Sequence, residues 1–438
     1  MEKRISPWFW IPTLYFAQGI PYFIVNNISV MMFTKMGVPN GDMAMFTSLL
    51  YLPWMIKPFW SPFVDIFKTK RWWTVVMQIL MTAAFAFTIF SIPTPTAEML
   101  ATQTTPISMF YVTLILFVVT AFASATHDIA ADGFYMIALN SGDQAAFVGI
   151  RSTFYRLATI FGNGVVVYVA GMIEEKTGNI PMSWQITMIM CAVILCVLTI
   201  YHTFILPRPQ SDASVLEGEK PTAGAIVSEF INAFKTYFMK PGVWLAIVFM
   251  LLYRLPEGFL LKLCQPFLLA STDLGGLGMT TKSVGIAYGT IGVIFLTIGG
   301  ILGGFYASRV GLKKALWLMS LGMTLPCLAF VYLAIYQPTD IWVISTAIAI
   351  EQFGYGFGFT AYMLYMMYFS EGEFKTSHYA ICTAFMAMSM LIPGMFAGYI
   401  QEALGYVDFF WMVMACCVAT LIVTFFVDKK VDPLYGKK

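Results

Sequence analysis

The stretch FYVTLILFVVTAFASATHDIAADGFYMIAL, residues 110–139, is long and apolar enough to cross a membrane, yet it carries a histidine and two aspartates. A hydrocarbon core about 30 Å thick needs roughly 20 helical residues to span it. Similar apolar runs recur along the 438-residue chain, which is 59% hydrophobic and 11% charged. Soluble domains carry about a quarter charged residues. The sequence therefore predicts an all-α membrane protein, because the short alternating segments typical of membrane β-barrels do not occur in it.

Twelve apolar runs are predicted to span the membrane. They cover residues 8–33, 42–63, 72–92, 107–138, 145–172, 183–206, 242–270, 283–307, 313–336, 340–369, 376–402 and 406–427. Lysine and arginine cluster at both ends of the chain and in one set of loops, whereas the alternate loops carry only Lys35, Lys176 and Lys282. By the positive-inside rule both termini are cytoplasmic, which agrees with an even number of spans.

One long polar segment, residues 207–240, divides the spans into two sets of six. This division predicts an N-terminal six-helix bundle (1–206), a cytoplasmic linker (207–240) and a C-terminal six-helix bundle (241–438). The second half of the linker places an apolar set on one helical face: Ile226, Phe230, Ile231, Phe234 and Phe238. That pattern indicates an interfacial helix under the membrane. An ordinary linker helix fits it equally well.

The two halves repeat a basic hairpin, SPFVDIFKTKRWW after span two and GGFYASRVGLKKAL after span eight. The second copy resembles the loop signature of the major facilitator superfamily, G-x-x-x-D-R-x-G-R-K. Gly304, Arg309, Gly311 and Lys313 match it, and Asp65 supplies the acid in the first copy. The resemblance implies two six-helix bundles that alternate access around a midplane site, with these five residues in gating loops.

Charges inside the spans need a reason, since an ionised acid at a helix centre costs about 2.5–3.5 kcal/mol to insert. Asp128 and Asp132 of span four lie about as far from the hairpin near residue 142 as Arg156 and Arg151 of span five. We therefore expect the pairs Asp132–Arg151 and Asp128–Arg156. They would form either a structural ladder of ion pairs or a charged wall of a transport cavity. Intramembrane ionisable groups favour the second alternative.

Spans seven and ten offer further candidates for a substrate or proton pathway. In YRLPEGF of span seven, Arg254 and Glu257 are three residues apart and can pair where Pro256 should interrupt the helix. In span ten, Glu351 precedes Gln352 and has no evident partner in its own helix. Because an unpaired buried carboxyl group favours its neutral form, Glu351 is predicted to carry a proton.

Spans one and two complete the candidate pathway. Gln18, Tyr22 and Asn26 repeat at helical spacing and offer uncharged hydrogen bonds. Lys57 of span two either extends to the cytoplasmic face or lines the pathway. His127 lies on a different helical face from Asp128 and is predicted to be a hydrogen-bonded packing residue.

The segments YFAQGIPY, LPWMIKPFWSPFVD and ASATHDIAADGFY resemble the AmpG-type branch of the superfamily and, more distantly, acetyl-CoA transporters. That branch carries a QDI..DA segment in span four, where this chain has His127 and Gly133 in place of the glutamine and the alanine. The resemblance implies proton-driven import of GlcNAc-anhydro-muramyl peptides across the bacterial inner membrane for wall recycling. It matches Asp128 and Asp132 to the acidic pair of that branch, and Lys57 to its span-two lysine.

Other functions remain open at the level of the sequence. The substrate could be another saccharide or an organic anion, and a sensor with a transporter fold is a further alternative. A membrane acyltransferase would need a histidine or serine constellation, but His127, His202 and His378 are scattered along the chain. No phosphate-binding glycine loop occurs, which argues against ATP drive. We expect a monomer in the lipid bilayer with a small-molecule substrate and protons, and with no cofactor, metal ion or nucleic acid.

Overall fold

The computed structural model describes residues 5–139, 141–209, 212, 223–372, 374–433 and 435. Nearly all of them are helical. The helices of the first half are Ile11–Phe23, Ile24–Ile28 and Ser29–Lys35 (span one), Asn40–Leu49, Leu52–Ile56, Lys57–Phe59 and Ser61–Ile66 (span two), Lys70–Ser91 (span three), Ile107–Phe110 and Tyr111–Ala138 (span four), Ser141–Ile160, Phe161–Val166 and Val167–Thr177 (span five), and Ile180–Ile205 (span six).

The second half continues the same plan. Its helices are Val243–Leu252 and Leu255–Leu269 (span seven), Thr281–Ile286, Ala287–Gly292 and Val293–Val310 (span eight), Leu312–Thr324, Leu325–Cys327 and Leu328–Tyr336 (span nine), Ile341–Ser370 (span ten), and Lys375–Asp428. The last one is broken at Gly405, where φ is 78°, into spans eleven and twelve. The predicted twelve-helix plan is therefore confirmed, in two bundles of six.

Eight helical stretches of the described residues are long and apolar enough to cross a membrane. One of them, Ser377–Asp428, contains both span eleven and span twelve. Spans one, two and ten are not among the eight. The domain boundaries and the side on which the termini lie stay predictions.

Span seven is interrupted at Tyr253 and Arg254, as Pro256 predicts. The second helix of the span starts directly before this proline, a position at which its missing N–H needs no helical partner. The break frees backbone carbonyl groups. The hydroxyl of Thr420 donates to the carbonyl oxygens of Leu252 and Tyr253 at 3.4 and 3.1 Å. A helix break inside a membrane is tolerated where neighbouring helices supply such partners.

The two basic hairpins share one backbone feature. Gly311, between spans eight and nine, has a φ of +83°, and Lys68, at the matching position between spans two and three, has a φ of +59°. Glycine adopts this left-handed region freely, whereas a residue with a side chain is uncommon there. The common geometry supports the internal repeat that the sequence indicates.

The other motif residues are less constrained. A methyl group added at Gly304 would meet no atom within 4 Å. Arg309 is exposed and Lys313 is half-buried. The side chain of Asp65 lies outside the described residues, so the gating role of the two loops stays a prediction.

The linker contains a helix, Ala223–Phe238. Phe234 packs on Phe59 of span two with the ring centroids 5.5 Å apart, while Ile231 is 57% exposed. The side chain of Ile226 is outside the described residues. The helix thus contacts the N-terminal bundle and leaves apolar surface uncovered, which is compatible with either an interfacial or a linker helix.

The bundles touch at the face where the odd-numbered spans end, which we call the far face. The side-chain amide of Asn40 donates to Gln401 Oε1 at 2.7 Å and to the Tyr406 hydroxyl at 3.0 Å, which joins span two to spans eleven and twelve. Lys282 Nζ lies 3.2 Å from Glu175 Oε2, which joins span eight to span five. These contacts close the space between the bundles at this face.

Glycine allows the closest of these contacts. A methyl group on Gly398 would overlap the carbonyl oxygen of Asn40, and one on Gly289 would overlap the carbonyl oxygen of Asn163. Both overlaps are with main-chain atoms of the opposite bundle, which are not free to swing aside. Small residues at helix interfaces permit this approach of backbones within a membrane.

Three π-helical segments of the described chain lie near these contacts, Ile24–Ile28, Phe161–Val166 and Ala287–Gly292. The Asn27 side-chain amide donates to Asn163 Oδ1 at 3.5 Å, which links the first segment to the second. Segments of this type are rare and frequently mark functional sites in helices. Here they border the space between the bundles.

Gly398→Ala is expected to open the far face. Overpacking costs about 1–3 kcal/mol, which would shift the population toward the separated state by roughly 5–150-fold. The measurement is the rate at which Asn27→Cys reacts with a membrane-impermeant maleimide applied from the far face, corrected for the parent protein without this cysteine. Gly224→Ala is the matched control, since Gly224 lies in the linker helix and its methyl group would meet no atom within 4 Å. Equal labelling rates in the two variants would contradict the prediction.

Candidate functional site

A cavity of about 350 Å³ lies between the two bundles. Spans one, two, four and five line it from one side, and spans seven, eight, ten and eleven line it from the other. Its charged lining residues are Lys57, Asp128 and Arg254. The far-face contacts close one end of this space. A cavity enclosed between two bundles can bind a small molecule and release it when the bundles move.

Lys57 and Asp128 form an ion pair in the cavity wall, with Nζ 3.8 Å from Oδ2. Their side chains are 29% and 14% exposed. Lys57 begins a short 3-10 turn that continues into Pro58 and Phe59, and this turn directs the lysine inward. Of the two alternatives for Lys57, the structure shows the cavity lining rather than an extension to the cytoplasmic face.

The predicted pair of Asp128 and Arg156 is wrong. Arg156 is exposed, and Asp128 contacts Lys57 instead. The physical reason is helical rotation, at about 100° per residue. The four residues from Asp128 to Asp132 leave both acids within about 40° of each other, whereas the five from Arg151 to Arg156 turn the second arginine by about 140°.

The predicted pair of Asp132 and Arg151 is confirmed, with Oδ1 and Nη2 3.1 Å apart. The Tyr15 hydroxyl donates to the same carboxylate at 3.0 Å. The guanidinium group lies over the rings of Tyr15 and Tyr135, 4.6 and 5.1 Å from their centroids. This cluster ties spans one, four and five together beside the central cavity and does not line it. Its part in a pathway stays a prediction.

Arg254 and Glu257 form the most buried ion pair among the described residues, 3.2 Å apart with side chains 6% and 3% exposed. The Arg254 guanidinium also donates to the Tyr355 hydroxyl at 2.8 Å and lies 4.7 Å from the ring centroid of Phe359. The break in span seven places this arginine at the cavity. A buried pair with satisfied donors of this kind is tolerated because each charge has partners.

Glu351 is buried directly behind the cavity wall. Gln352 lines the cavity, and its side-chain amide donates to Glu351 Oε2 at 2.8 Å. Glu351 is 3% exposed and makes no ion pair with any of the described residues. The carboxyl group of Glu351 is thus separated from the cavity only by the side-chain amide of Gln352, to which it is hydrogen-bonded.

Span one contributes polar groups at two depths. Tyr22 lines the cavity, and its carbonyl oxygen accepts a hydrogen bond from the Asn26 amide at 3.0 Å. Gln18 adjoins Asp128 and is buried. In the described part of the chain, Gln18 Oε1 and Asn26 Oδ1 have no hydrogen-bond partner. Buried acceptors without a partner are unusual in native proteins and mark places where a ligand or water can bind.

Aromatic rings form much of the remaining wall. Tyr22 packs edge-on against Trp54, with centroids 5.1 Å apart, and against Tyr51, at 6.2 Å. Tyr155 of span five stands next to this group, and Tyr355 faces it from span ten. The sequence did not single out these aromatic residues beyond Tyr22, because aromatics are frequent throughout the chain.

Two of the three histidines meet inside the N-terminal bundle, which corrects the expectation that they are scattered. Gln78 bridges them, with 3.0 Å from its side-chain nitrogen to His127 Nε2 and 3.0 Å from its oxygen to His202 Nδ1. His202 Nε2 reaches the Thr13 hydroxyl at 3.0 Å. All of these groups pack between helices, and none of them lines the cavity. The prediction that His127 is a hydrogen-bonded packing residue is therefore confirmed.

Lys262 was missed by the sequence reasoning. It lies on span seven, five residues beyond Glu257, and is 7% exposed. The signal was available, since a lysine in the middle of the apolar run GFLLKLCQPF carries the same insertion cost as the aspartates of span four.

Several curated relatives of this chain are named as transporters or permeases. It is 26% identical over 415 residues to the anhydromuropeptide permease of Escherichia coli (strain K12), covering 93% of this chain and 77% of the relative. It is 25% identical over 429 residues to the putative transporter AmpG 4 of Rickettsia felis, covering 95% of both. The similarity to AmpG-type proteins that span four indicates is confirmed by these relatives.

Solved structures share the fold at lower identity. A D-xylose-proton symporter superposes with a TM-score of 0.69 at 10% identity, covering 98% of both chains. The nucleoside transporter NupG superposes with a TM-score of 0.66 at 13% identity, covering 97% of this chain and 99% of that one. The sequence profile of the Major Facilitator Superfamily matches residues 13–377. With this match, the twelve-helix plan and the cavity between two bundles, the chain belongs to the Major Facilitator Superfamily.

Proposed function

We propose that this transporter imports cell-wall-derived saccharides, GlcNAc-anhydro-muramyl peptides in particular, together with protons. It would lie in the inner membrane of a bacterium, with both termini in the cytoplasm. The observation that carries the proposal is the central cavity, in which the pairs Lys57–Asp128 and Arg254–Glu257 stand among aromatic rings. The Escherichia coli relative, a permease for anhydromuropeptides by name, supports this choice of substrate.

The chemistry of the wall suits a glycopeptide. Aromatic faces such as those of Tyr22 and Trp54 pack well against the apolar faces of sugar rings. The side chains of Asn27, Asn163 and Gln352 offer amide donors and acceptors to hydroxyl and acetamido groups. Small-molecule sites of about 300–1,000 Å³ combine apolar walls with a few placed polar groups in this way.

A second candidate is transport of another saccharide or of an organic anion. The positive groups Lys57 and Arg254 at the cavity favour an acidic substrate, with or without a sugar. Each of these cations has an acidic partner within 4 Å, so the cavity is not simply a basic pocket. We therefore rank this candidate below the wall saccharides.

Uptake by the purified protein in proteoliposomes tests the proposal. Radiolabelled GlcNAc-anhydro-muramyl tripeptide is offered with an inward proton gradient, without a gradient, and with the gradient collapsed by a protonophore. We expect accumulation that depends on the gradient and that unlabelled tripeptide inhibits. Accumulation that is insensitive to the protonophore would contradict proton coupling. No uptake or exchange of the tripeptide, alongside uptake of another saccharide, would contradict the substrate.

Glu351→Gln is expected to reduce gradient-driven uptake by about tenfold or more while exchange across the membrane continues. A proton carrier must change its protonation state in each cycle, and a general proton-transfer group is worth roughly 10²–10⁴-fold where it acts. The assay compares net uptake with counterflow exchange in one preparation. Glu98→Gln is the matched control, because it neutralises an exposed glutamate outside the cavity and should change neither uptake nor exchange. Equal loss of uptake and exchange in Glu351→Gln would exclude the coupling role.

A further inference from the structure

A second, smaller cavity of about 60 Å³ continues the central one toward the far face. The two share five lining residues, Asn27, Tyr51, Leu261, Tyr288 and Met390. The smaller one adds Asn26 on span one and Lys262 on span seven. Because spans one and seven both run toward the far face, these additions lie beyond Tyr22 and Arg254 at the closed end of the space.

Lys262 is a buried amine with unused hydrogen-bonding capacity. Its Nζ donates to the Thr47 hydroxyl at 3.0 Å, and Thr47 in turn donates to the carbonyl oxygen of Met43 at 2.6 Å. A lysine ammonium group has three donors, so two remain. Lys262 makes no ion pair within the described ranges, unlike Lys57 and Arg254.

The rest of this small cavity is polar but holds no acid. Asn26 is 2% exposed, and its amide nitrogen is fixed on the Tyr22 carbonyl oxygen, which leaves Oδ1 as an acceptor without a partner. Gln265 is 5% exposed and also lines the cavity. None of the residues that line it is an aspartate or a glutamate. An isolated buried ammonium group is unfavourable unless a counter-charge approaches it.

We propose that the closed end of the cavity is a carboxylate subsite, in which Lys262 binds a carboxylate of the substrate and Asn26 Oδ1 accepts a hydrogen bond from a neighbouring N–H group. An N-acylated amino acid presents these two groups side by side. The cavity has room for one such carboxylate. The inference rests on the proposed function and deepens it, since a muramyl peptide carries free peptide carboxylates next to amide N–H groups.

Binding of two matched probes tests the subsite. The probes are GlcNAc-anhydro-muramyl-L-alanine with a free alanine carboxylate and the same compound with that carboxylate converted to its primary amide. Calorimetry is performed on the purified full chain in nanodiscs. We expect the wild-type protein to bind the acid at least tenfold more tightly than the amide. Lys262→Met should remove this preference, because it should lower the affinity for the acid and leave the affinity for the amide unchanged.

The controls separate the possible failures. Lys429→Met removes an exposed lysine directly after span twelve, outside both cavities, and should keep the preference for the acid. If the wild-type protein binds both probes equally, the carboxylate subsite is wrong and the proposed function stands. If it binds neither probe, both fail. If Lys262→Met lowers the affinity for both probes equally, the lysine has a structural role and the proposed subsite is again wrong. The affinities of the wild-type protein for the acid and the amide can be compared without any variant. The proposal can therefore be contradicted even if Lys262→Met does not fold.

Discussion

Arg254→Met is expected to lower the free energy of unfolding by about 3–5 kcal/mol, because it leaves Glu257 as an unpaired charge in a buried site. The two side chains are 6% and 3% exposed, so water cannot replace the lost partner. Arg254 also donates a hydrogen bond to the Tyr355 hydroxyl and lies over the ring of Phe359, and both contacts would be lost. We expect no measurable transport from this variant.

Thermal unfolding of the detergent-solubilised protein and uptake in proteoliposomes measure the two effects. Arg208→Met is the matched control, since Arg208 is exposed directly after span six and outside the cavity, and its loss should change neither quantity strongly. The double variant Arg254→Met, Glu257→Met replaces both charges with apolar groups and should regain much of the stability. Transport should stay absent in it if the pair serves the substrate. A single Arg254→Met protein as stable as the wild type would contradict the expected cost.

Asp128→Asn and Lys57→Met are each expected to reduce transport by more than about tenfold, and their effects should not add. The pair is partly exposed, so its contribution should lie between that of surface pairs, about 0–1 kcal/mol, and that of buried pairs, about 3–5 kcal/mol. Removing the second charge from a protein that already lacks the first should then reduce transport less than removing it from the wild-type protein. The measurement is a double-mutant cycle on initial uptake rates at equal amounts of protein in the membrane.

Arg156→Gln provides the contrast for this cycle. Arg156 has the same charge and lies on the neighbouring span, but it is turned away from Asp128 and is exposed. Its effect should be small and should add to that of Asp128→Asn. Coupling of Asp128 to Arg156, together with additivity between Asp128 and Lys57, would show that the ion pair in the cavity wall has been assigned to the wrong cation.

The sequence was sufficient for the fold and for part of the site, and the two aspartates of span four show where the limit lies. Counting residues from a hairpin gives the height of a group along a helix, which placed Asp132 opposite Arg151. It does not give the direction in which the side chain points, and so it failed for Arg156. The true partner of Asp128 comes from span two, where a proline-induced turn decides the orientation of Lys57.

Local patterns succeeded where the cause was local. Pro256 predicted the break in span seven, and Arg254 and Glu257 pair within one helical turn. Contacts between the halves of the chain had no such signal. Asn40 is hydrogen-bonded to Gln401, which is 361 positions away in the sequence. The close approach of two backbones that Gly398 permits depends on how the two bundles pack together.

The close packing at Gly398 and Gly289 bears on how the protein would respond to the salt outside the cell. Main chains in van der Waals contact attract each other by dispersion forces. These forces do not arise from net charges, so dissolved ions do not screen them. The nearby pair of Lys282 and Glu175 is 35% and 43% exposed and is readily screened, since the Debye length falls from about 10 Å at 0.1 M to about 3 Å at 1 M ionic strength. The part of the seal that depends on contact between backbones should therefore hold at high ionic strength, whereas the part that depends on Lys282 and Glu175 should weaken.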